Sequence, residues 1–239
     1  MYLSNLSRID LLQFLPNGGE VAEIGVAEGT FSKLILAQAV PQRLHLIDPW
    51  EHQTREDYQG DTYGNPNGDE QEKRFKGVSD HFASEIEAGR VIIHRTYSTI
   101  AAESFANDQF DWIYLDGLHS LEGISADLAA FSDKVKPDGF ILGHDYTNHA
   151  PALNSGFGVV EAVNDFVVKE DYHFLVMTME VFPTYVLTRN PGSAESQALI
   201  SRLLYFANWV VEVRDYPGQR QYQHNAIQVA DKTVVFPTF

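Results

Sequence analysis

The chain of 239 residues has no cysteine and few basic side chains, with 17 lysines and arginines against 33 aspartates and glutamates. The lack of cysteine excludes a disulfide scaffold, a thiolate nucleophile and an iron–sulfur cluster, and it leaves histidine, carboxylates and backbone oxygen as metal ligands. The net charge of −16 argues against nucleic acid or an anionic membrane as a partner, because both bind basic surfaces.

Long apolar runs are also missing. No stretch approaches the roughly 18–20 apolar residues of a membrane span, and residues 1–10 lack the apolar segment of a secretory signal. We therefore expect a cytoplasmic protein, and a chain of this length buries a sizeable core in one domain, with at most an appendage.

Short apolar runs alternate with helix-like segments along the first two thirds of the chain. The runs are predicted to be strands and occupy residues 20–25, 43–48, 90–94, 110–116 and 139–144. Between the last two, one helix face is predicted by four apolar residues at helical spacing, Ile124, Leu128, Phe131 and Val135. This alternation is typical of βαβ units, so we predict an α/β fold with a parallel sheet.

The last third of the chain has a different pattern. Residues 172–178 and 181–188 predict two strands with almost nothing between them, and therefore an antiparallel pair at a sheet edge. A helix is predicted from 193 to about 212, followed by a tail hairpin with arms at 226–230 and 234–236. The tail carries several aromatic residues, so we expect it to pack on the same domain or to form a homodimer interface.

One long segment, residues 51–72, is polar, acidic and rich in glycine, asparagine and tyrosine. It follows a predicted strand directly, and open α/β sheets bind ligands at that end of their strands. Loops longer than about 12–15 residues are usually functional or disordered. The segment is therefore interpreted either as an active-site cover or as a solvated loop. Four aromatic residues are candidates either for stacking on a substrate ring or for packing: Trp50, Tyr58, Tyr63 and Tyr146.

The first predicted strand ends in the turn 23–29, with the sequence Glu-Ile-Gly-Val-Ala-Glu-Gly. Its glycines allow a close approach to a ligand, or simply serve a β-to-α turn, and Ala27 replaces the middle glycine of the dinucleotide fingerprint. Since Glu23 and Glu28 would repel a pyrophosphate, the local charge favours the cationic S-adenosylmethionine over NAD. Asp48 ends the next strand, where a carboxylate accepts hydrogen bonds from ribose hydroxyls or forms a turn.

Aspartate and histidine follow the fourth and fifth predicted strands. Asp116 and His119 leave the fourth strand, and His144 and Asp145 leave the fifth. Because parallel strands end at the same edge, we expect these side chains to lie close together. Two alternatives stay open: a site for Mg²⁺, Mn²⁺ or Fe²⁺, and a metal-free site in which His119 or His144 acts alone.

Together these segments resemble class I S-adenosylmethionine-dependent methyltransferases, and within them the branch that includes the macrocin-type sugar O-methyltransferases. The resemblance rests on the turn 23–29, on Ile47-Asp-Pro-Trp50, and on residues 110–146 with their Asp-Gly-Leu-His-Ser and His-Asp-Tyr stretches. It covers about residues 18–190. It implies a methyltransferase domain at 1–190, followed by a C-terminal helix and tail at 191–239.

The resemblance implies a Rossmann-like, doubly wound, mainly parallel seven-stranded sheet in the order 3-2-1-4-5-7-6, with an antiparallel edge strand and helices on both faces. The implied cofactor is S-adenosyl-L-methionine, and its implied contacts are Glu23, Gly25, Val26, Gly29, Asp48, Ser98 and Asp116. A divalent cation is implied at Asp116, His144 and Asp145, although the metal-using relatives have two carboxylates where this chain has His144-Asp145. His119 matches the relatives' catalytic base, with Asp116 beside it.

The predicted function is therefore methyl transfer to a hydroxyl of a small molecule, either a sugar or a phenol-like compound. In that reaction His119 would remove the hydroxyl proton as a general base, and a cation would lower the pKa of the hydroxyl. Two alternatives are a nicotinamide-dependent oxidoreductase and a binding protein that keeps the cofactor pocket without catalysis.

Overall fold

The computed structural model describes residues 1–55, 58 and 63–239. Its strands are β1 (Tyr2–Ser4), β2 (Glu20–Ile24), β3 (Arg43–Ile47), β4 (Val91–His94), β5 (Phe110–Leu115), β6 (Val135–Gly143), β7 (His173–Thr178), β8 (Tyr185–Thr188), β9 (Val210–Glu212), β10 (Gln223–Val229) and β11 (Lys232–Thr238). Its helices are α1 (Arg8–Leu12), α2 (Thr30–Gln38), α3 (Gly68–His81), α4 (Ala83–Glu87), α5 (Ser98–Ala102), α6 (Leu121–Phe131), α7 (Ala150–Asn154), α8 (Val159–Lys169) and α9 (Ala194–Phe206).

The main sheet has the order β4-β3-β2-β5-β6-β8-β7-β1-β9 within the described residues. Strands β2 to β6 pair in parallel, whereas β8 runs antiparallel to both β6 and β7. The Rossmann-like, mainly parallel fold is thus confirmed, and the order β4 to β7 is the expected one. The predicted number of seven strands is wrong, because β1 adds parallel to β7 and β9 adds antiparallel to β1.

Three details of the predicted helices and strands differ from the structure. The pair β7–β8 is antiparallel as predicted but lies inside the sheet, because β1 covers the outer side of β7. The last helix stops at Phe206 instead of about residue 212, since Ala207 turns to an extended conformation with ψ 141° and β9 follows. Val135 begins β6 instead of extending α6.

The helices cover both faces of the sheet because the strand side chains alternate. In β5, Trp112 and Tyr114 belong to one core layer, while Ile113 and Leu115 belong to the other. Local caps fix the helix starts; Ser120, for example, accepts a hydrogen bond from Gly123 N at the start of α6. Within the residues that are described, no helix has both the length and the apolar character of a membrane span. The cytoplasmic location stays a prediction.

The C-terminal tail forms the predicted hairpin, β10 with β11, and its aromatic residues pack on the rest of the chain. Tyr216 and Tyr222 are buried against Tyr146, and Phe239 lies 5.3 Å from the Tyr216 ring. Tyr146 is fully buried and donates to Asn164 Oδ1 at 2.6 Å, so it is a packing residue and not a substrate-stacking one. The aromatic residues of the tail are therefore buried against the same chain, and the homodimer stays a prediction.

Two histidines meet inside the core on neighbouring strands. His45 Nδ1 on β3 lies 2.9 Å from His94 Nε2 on β4, and both rings pack against Phe105. Burial lowers the pKa of both, and the neighbouring His94 contributes to bringing the pKa of His45 to about 4, from an ordinary value of 6.5. The folded chain therefore resists protonation of this pair.

The contribution of His45 to the stability of the folded state is expected to be lost as the pH falls from about 6.5 towards 4, because the unfolded chain takes up a proton that buried His45 does not. Above that range both states hold neutral histidine and the contribution is fully present. Urea unfolding at about pH 7.5 and about pH 5 should show that the change in unfolding free energy on lowering the pH is about 1–2 kcal/mol less favourable for wild type than for His45→Leu. His173→Leu, at an exposed histidine, is the control; equal losses in the two variants would contradict the assignment.

Candidate active site

The carboxyl ends of β2, β3, β5 and β6 meet in one cavity of about 1100 Å³. The parallel register of these strands brings the turn after β2 beside the segments that leave β5 and β6. The cavity is lined by all of the predicted site residues except Gly29: Glu23, Gly25, Val26, Asp48, Ser98, Asp116, His119, His144 and Asp145. The prediction that these positions share one edge of the sheet is therefore confirmed.

The turn after β2 is held tightly against the end of β5. Gly25 has φ +85°, and a Cβ at this position would overlap the backbone carbonyl of Asp116, so only glycine fits. Gly29, with φ +70°, begins α2 as its N-terminal cap and faces Val78 and Phe82. Gly25 is thus required by the close backbone approach, whereas Gly29 is favoured by its positive φ, and of the two only Gly25 lines the cavity.

The Asp48 carboxylate holds the glycine turn in place. Its Oδ2 accepts hydrogen bonds from Val26 N at 2.9 Å and Ala27 N at 3.0 Å, and its Oδ1 accepts one from Trp50 N at 2.7 Å. Burial raises the pKa of Asp48 above its usual value, and the three backbone N–H groups only partly offset this shift. Trp50 is buried and donates its Nε1–H to Ala27 O at 2.8 Å, so Trp50 fixes the turn instead of contacting a substrate.

The two glutamates of the turn do not present free negative charges. Glu23 is buried and accepts a hydrogen bond from Ser32 Oγ at 2.5 Å, and burial raises its pKa to about 8, so its carboxyl is mostly neutral at pH 7. Glu28 is exposed and pairs with Arg74 at 3.2 Å. The repulsion of a pyrophosphate predicted for these two side chains is therefore reduced, because Glu23 is mostly neutral and Glu28 is paired with Arg74.

One wall of the cavity is formed by α5, α6 and the segment after β3. Ser98 donates its hydroxyl to the carboxylate of Asp127, which is buried on α6 and has its pKa raised to about 6 by that burial. From the segment 51–72, Gln53 and Tyr63 also line the cavity, which supports its role as a cover. Residues 56, 57 and 59–62 of that segment lie outside the described residues.

The Asp116 carboxylate is surrounded by positive or proton-bearing groups. Its Oδ2 lies 3.2 Å from Arg8 Nη1, and its Oδ1 lies 3.5 Å from both His119 Nε2 and His144 Nδ1. Burial opposes ionisation, but the two histidines beside the carboxylate hold the pKa of Asp116 well below its usual range. Arg8 also lies over the Phe31 ring at 4.9 Å.

Asp145 completes a cluster of two carboxylates and two imidazoles. Its Oδ2 is 2.9 Å from His119 Nε2 and its Oδ1 is 3.1 Å from His144 Nδ1. Burial alone would lower the pKa of His119, yet Asp116 and Asp145 raise it to about 10. An imidazole with that pKa is protonated near neutral pH, so it can act as a base only if another positive charge neutralises the carboxylates.

The cluster fits a divalent cation. One ligand atom from each of Asp116, His144 and Asp145 lies within 4.8 Å of the others, and the set combines two oxygen donors with one nitrogen donor. Beside them, the buried Nε2 of His119 has no well-directed hydrogen-bond acceptor among the described residues. Asp145 is held at φ +59°, a conformation that is uncommon outside glycine and concentrates at functional sites.

The other side of the cavity is apolar. Phe157 lies 4.8 Å from the His119 ring and Phe182 lies 6.3 Å from the His144 ring; we call this pair the aromatic wall. Neither residue was predicted, and neither was Arg8. A signal for Phe157 exists, because it stands in Gly-Phe-Gly shortly after the fifth predicted strand. Arg8 carries no such local signal.

The strand order and the glycine turn define an α/β protein with the class I methyltransferase fold. A family model described as a methyltransferase domain matches residues 22–146, slightly more than half of the chain. The chain belongs to this methyltransferase-domain family. The match covers the turn after β2 and the whole Asp116–Asp145 cluster, whereas the macrocin-type branch stays a prediction. Among curated protein sequences, none matches the chain.

Solved structures show the same fold at low identity. A spermidine synthase from Thermotoga maritima is 14% identical, with a TM-score of 0.50 over 81% of this chain and 60% of that one. A candidate rRNA methylase from Clostridium thermocellum is 10% identical, with a TM-score of 0.52 over 75% and 92%. An O-methyltransferase family protein from Burkholderia thailandensis is 14% identical, with a TM-score of 0.50 over 77% and 56%. The chain thus spans about 60% of the length of the spermidine synthase.

Asp48→Asn should destabilise the protein by about 1–3 kcal/mol, because the amide NH₂ would face a backbone N–H and leave at least one buried donor unpaired. Urea unfolding measures this loss, with Asp165→Asn on the exposed face of α8 as a matched control. An unchanged unfolding free energy for Asp48→Asn would show that the carboxylate does not hold the turn.

Proposed function

We propose that the chain transfers a methyl group from S-adenosyl-L-methionine to a hydroxyl of a small molecule, with the help of a divalent cation. The observation that carries this proposal is that the glycine turn and the Asp116–Asp145 cluster line one cavity. The methyltransferase-domain match supports the class of reaction. It also favours this proposal over a nicotinamide-dependent oxidoreductase.

The methyl donor is proposed to lie over Gly25 and Val26, with its adenine towards Ser98. Asp48 already accepts three backbone N–H groups. A carboxylate offers about four lone-pair sites, so Asp48 retains one for a ribose hydroxyl. The backbone N–H of Asp116 donates a hydrogen bond to Ile24 O at 2.8 Å. Asp116 is therefore proposed to lie between the part of the cavity that binds the methyl donor and the part that binds the methyl acceptor.

In the proposed reaction the acceptor oxygen forms a bond to the methyl carbon as the carbon–sulfur bond breaks, and S-adenosylhomocysteine leaves. The hydroxyl proton goes to the imidazole of His119 as the general base, and the Asp145 carboxylate, whose Oδ2 lies 2.9 Å from Nε2, would stabilise the protonated ring. Much of the rate would come from positioning, because the rigid carboxyl ends of β5 and β6 hold His119 and Asp145 beside the cavity. The aromatic wall fits an acceptor with a flat apolar face, either a phenol ring or a sugar.

The residues proposed to hold the cation are Asp116, His144 and Asp145. When bound, the cation would supply a Lewis-acid contact that lowers the pKa of the acceptor hydroxyl. It would also neutralise the two carboxylates that keep His119 protonated, so that the imidazole could be neutral. Arg8 then keeps the second oxygen of Asp116 occupied, which limits how that carboxylate can turn.

Methyl transfer is tested with S-adenosylmethionine that carries a labelled methyl group and a panel of sugars and phenols. His119→Ala should lower turnover by about 10²–10⁴-fold if it is the base, while calorimetric binding of S-adenosylhomocysteine stays close to wild type, because His119 lies beside the aromatic wall. An unchanged rate contradicts the base. Binding without transfer to any acceptor would instead favour a non-catalytic binding protein, and binding of NAD alone would favour an oxidoreductase.

Removal of divalent ions with EDTA should abolish most of the transfer, and added Mn²⁺ should restore it. Asp145→Asn should weaken Mn²⁺ binding measured directly by electron paramagnetic resonance, since it removes a charged ligand of the cluster. The exposed Asp165→Asn is the matched control. Full activity in the stripped protein, or unchanged Mn²⁺ binding by Asp145→Asn, contradicts the cation site.

A further inference from the structure

Strand β9 forms one edge of the main sheet and is surrounded by exposed apolar side chains. It pairs with β1 on one side, and in the described part of the chain no strand pairs with its other side. At the end of α9, directly before β9, Tyr205 is 81% exposed and Phe206 is 60% exposed. Five large apolar residues in or just before this strand are exposed, and we call them the apolar edge: Leu204, Tyr205, Phe206, Trp209 and Val211.

The composition of this segment differs from that of a protected sheet edge. Native proteins protect the edge strands of a monomer with charged side chains, proline, bulges or a short strand. Strand β9 is short, but residues 203–212 contain one charged residue, Glu212, and no proline. Single exposed apolar residues are ordinary, whereas a contiguous apolar patch of several hundred Å² marks a surface that another molecule covers.

The backbone of β9 is oriented to pair with a further strand. Met1 and Val213 exchange two hydrogen bonds, each of 2.9 Å, between their backbone N–H and C=O groups. In an antiparallel ladder such pairs alternate with pairs that share no hydrogen bond. Val211 is therefore bonded to β1, whereas the N–H and C=O groups of Val210 and Glu212 face away from β1. These four groups form the outer edge of the sheet.

We propose that β9 pairs antiparallel with β9 of a second copy of this chain, so that the main sheets of two copies join across a twofold axis. The outward-facing groups determine the register. Val211 lies opposite Val211 of the second copy, and Val210 of each copy lies opposite Glu212 of the other. This register bonds all four outward groups of each copy. A register centred on Glu212 would instead place two carboxylates directly opposite each other.

The area of the apolar edge is sufficient for a small dimer interface. Aromatic side chains bury about 150–250 Å² each, and from their exposure the five residues offer about 500–600 Å² per copy. Two copies together would bury about 1000 Å² or slightly more, which is the lower range for a specific interface.

The distribution of charge favours a second copy over a basic partner. Each chain carries a net charge of −16, so two copies repel each other least where the surface is nearly uncharged. The apolar edge is such a surface, because Glu212 is paired with Arg214 at 3.0 Å and adds no net charge. A basic partner would be attracted to the acidic parts of the surface instead.

Sedimentation velocity tests the association. Wild type at about 50 µM is expected to be a dimer. Val211→Lys places two ammonium groups opposite each other and should weaken association by at least about 100-fold. Val168→Lys on α8, where the residue is 68% exposed, is the matched control and should stay dimeric. Urea unfolding of both variants shows whether they are folded.

A cysteine variant tests the register and also decides the matter if Val211→Lys fails to fold. The chain has no cysteine, so Val211→Cys introduces a single thiol. In the proposed register the two Cα atoms of residue 211 lie about 4.5 Å apart, which is within the range of a disulfide. With copper phenanthroline as the oxidant, Val211→Cys should form a disulfide-linked dimer on a non-reducing gel, and Val168→Cys should stay unlinked.

Monomeric wild type at this concentration would overturn the proposal, and so would a folded Val211→Lys variant that stays dimeric. Equal cross-linking of the two cysteine variants, or none of Val211→Cys, would do the same. The hairpin β10–β11 also exposes apolar residues, among them Ile227. A dimer that Ile227→Lys abolishes and Val211→Lys leaves intact would place the interface on the hairpin and contradict the pairing of β9.

Discussion

The candidate site depends on one partly buried carboxylate, that of Asp116. Removing a carboxylate from water costs free energy that only charged or hydrogen-bonding partners offset. Arg8, His119 and His144 each approach it within 3.5 Å, and the two histidines keep it ionised against the effect of burial. The three partners come from α1, from the segment after β5 and from the segment after β6. The fold must therefore bring these parts together at the same edge of the sheet.

The two additional strands at the end of the sheet explain how Arg8 reaches this edge. Strand β1 pairs in parallel with β7, so the chain leaves β1 towards the carboxyl ends of the central strands. There α1 begins, with Ser7 as its cap and with Arg8 N donating to Glu180 Oε2 at 2.9 Å. Strand β9 then covers the outer side of β1. The N-terminal segment thus places the Arg8 guanidinium in the site, and β1 and β9 together extend the sheet.

The sequence predicted the parts of the site that follow directly from local patterns. Asp116 and Asp145 could be placed because each follows an apolar run, and parallel strands end together. Arg8 could not, because 108 residues separate it from Asp116 and nothing near Arg8 marks the contact. Asp127 stands between the apolar positions of α6, where a polar residue on a buried face is a usable signal. Strand β9 could not be predicted, because its three residues are too few to show the alternation of apolar and polar side chains that marks a strand.

One edge of the sheet is proposed to bind both an adenosyl methyl donor and a divalent cation. The most direct measurement is a crystal structure with S-adenosylhomocysteine and Mn²⁺, with diffraction data recorded at the manganese absorption edge. The cofactor is expected over Gly25 and Val26, with an anomalous peak between Asp116, His144 and Asp145. Bound cofactor with no manganese peak at these residues, or cofactor bound outside this cavity, would contradict it.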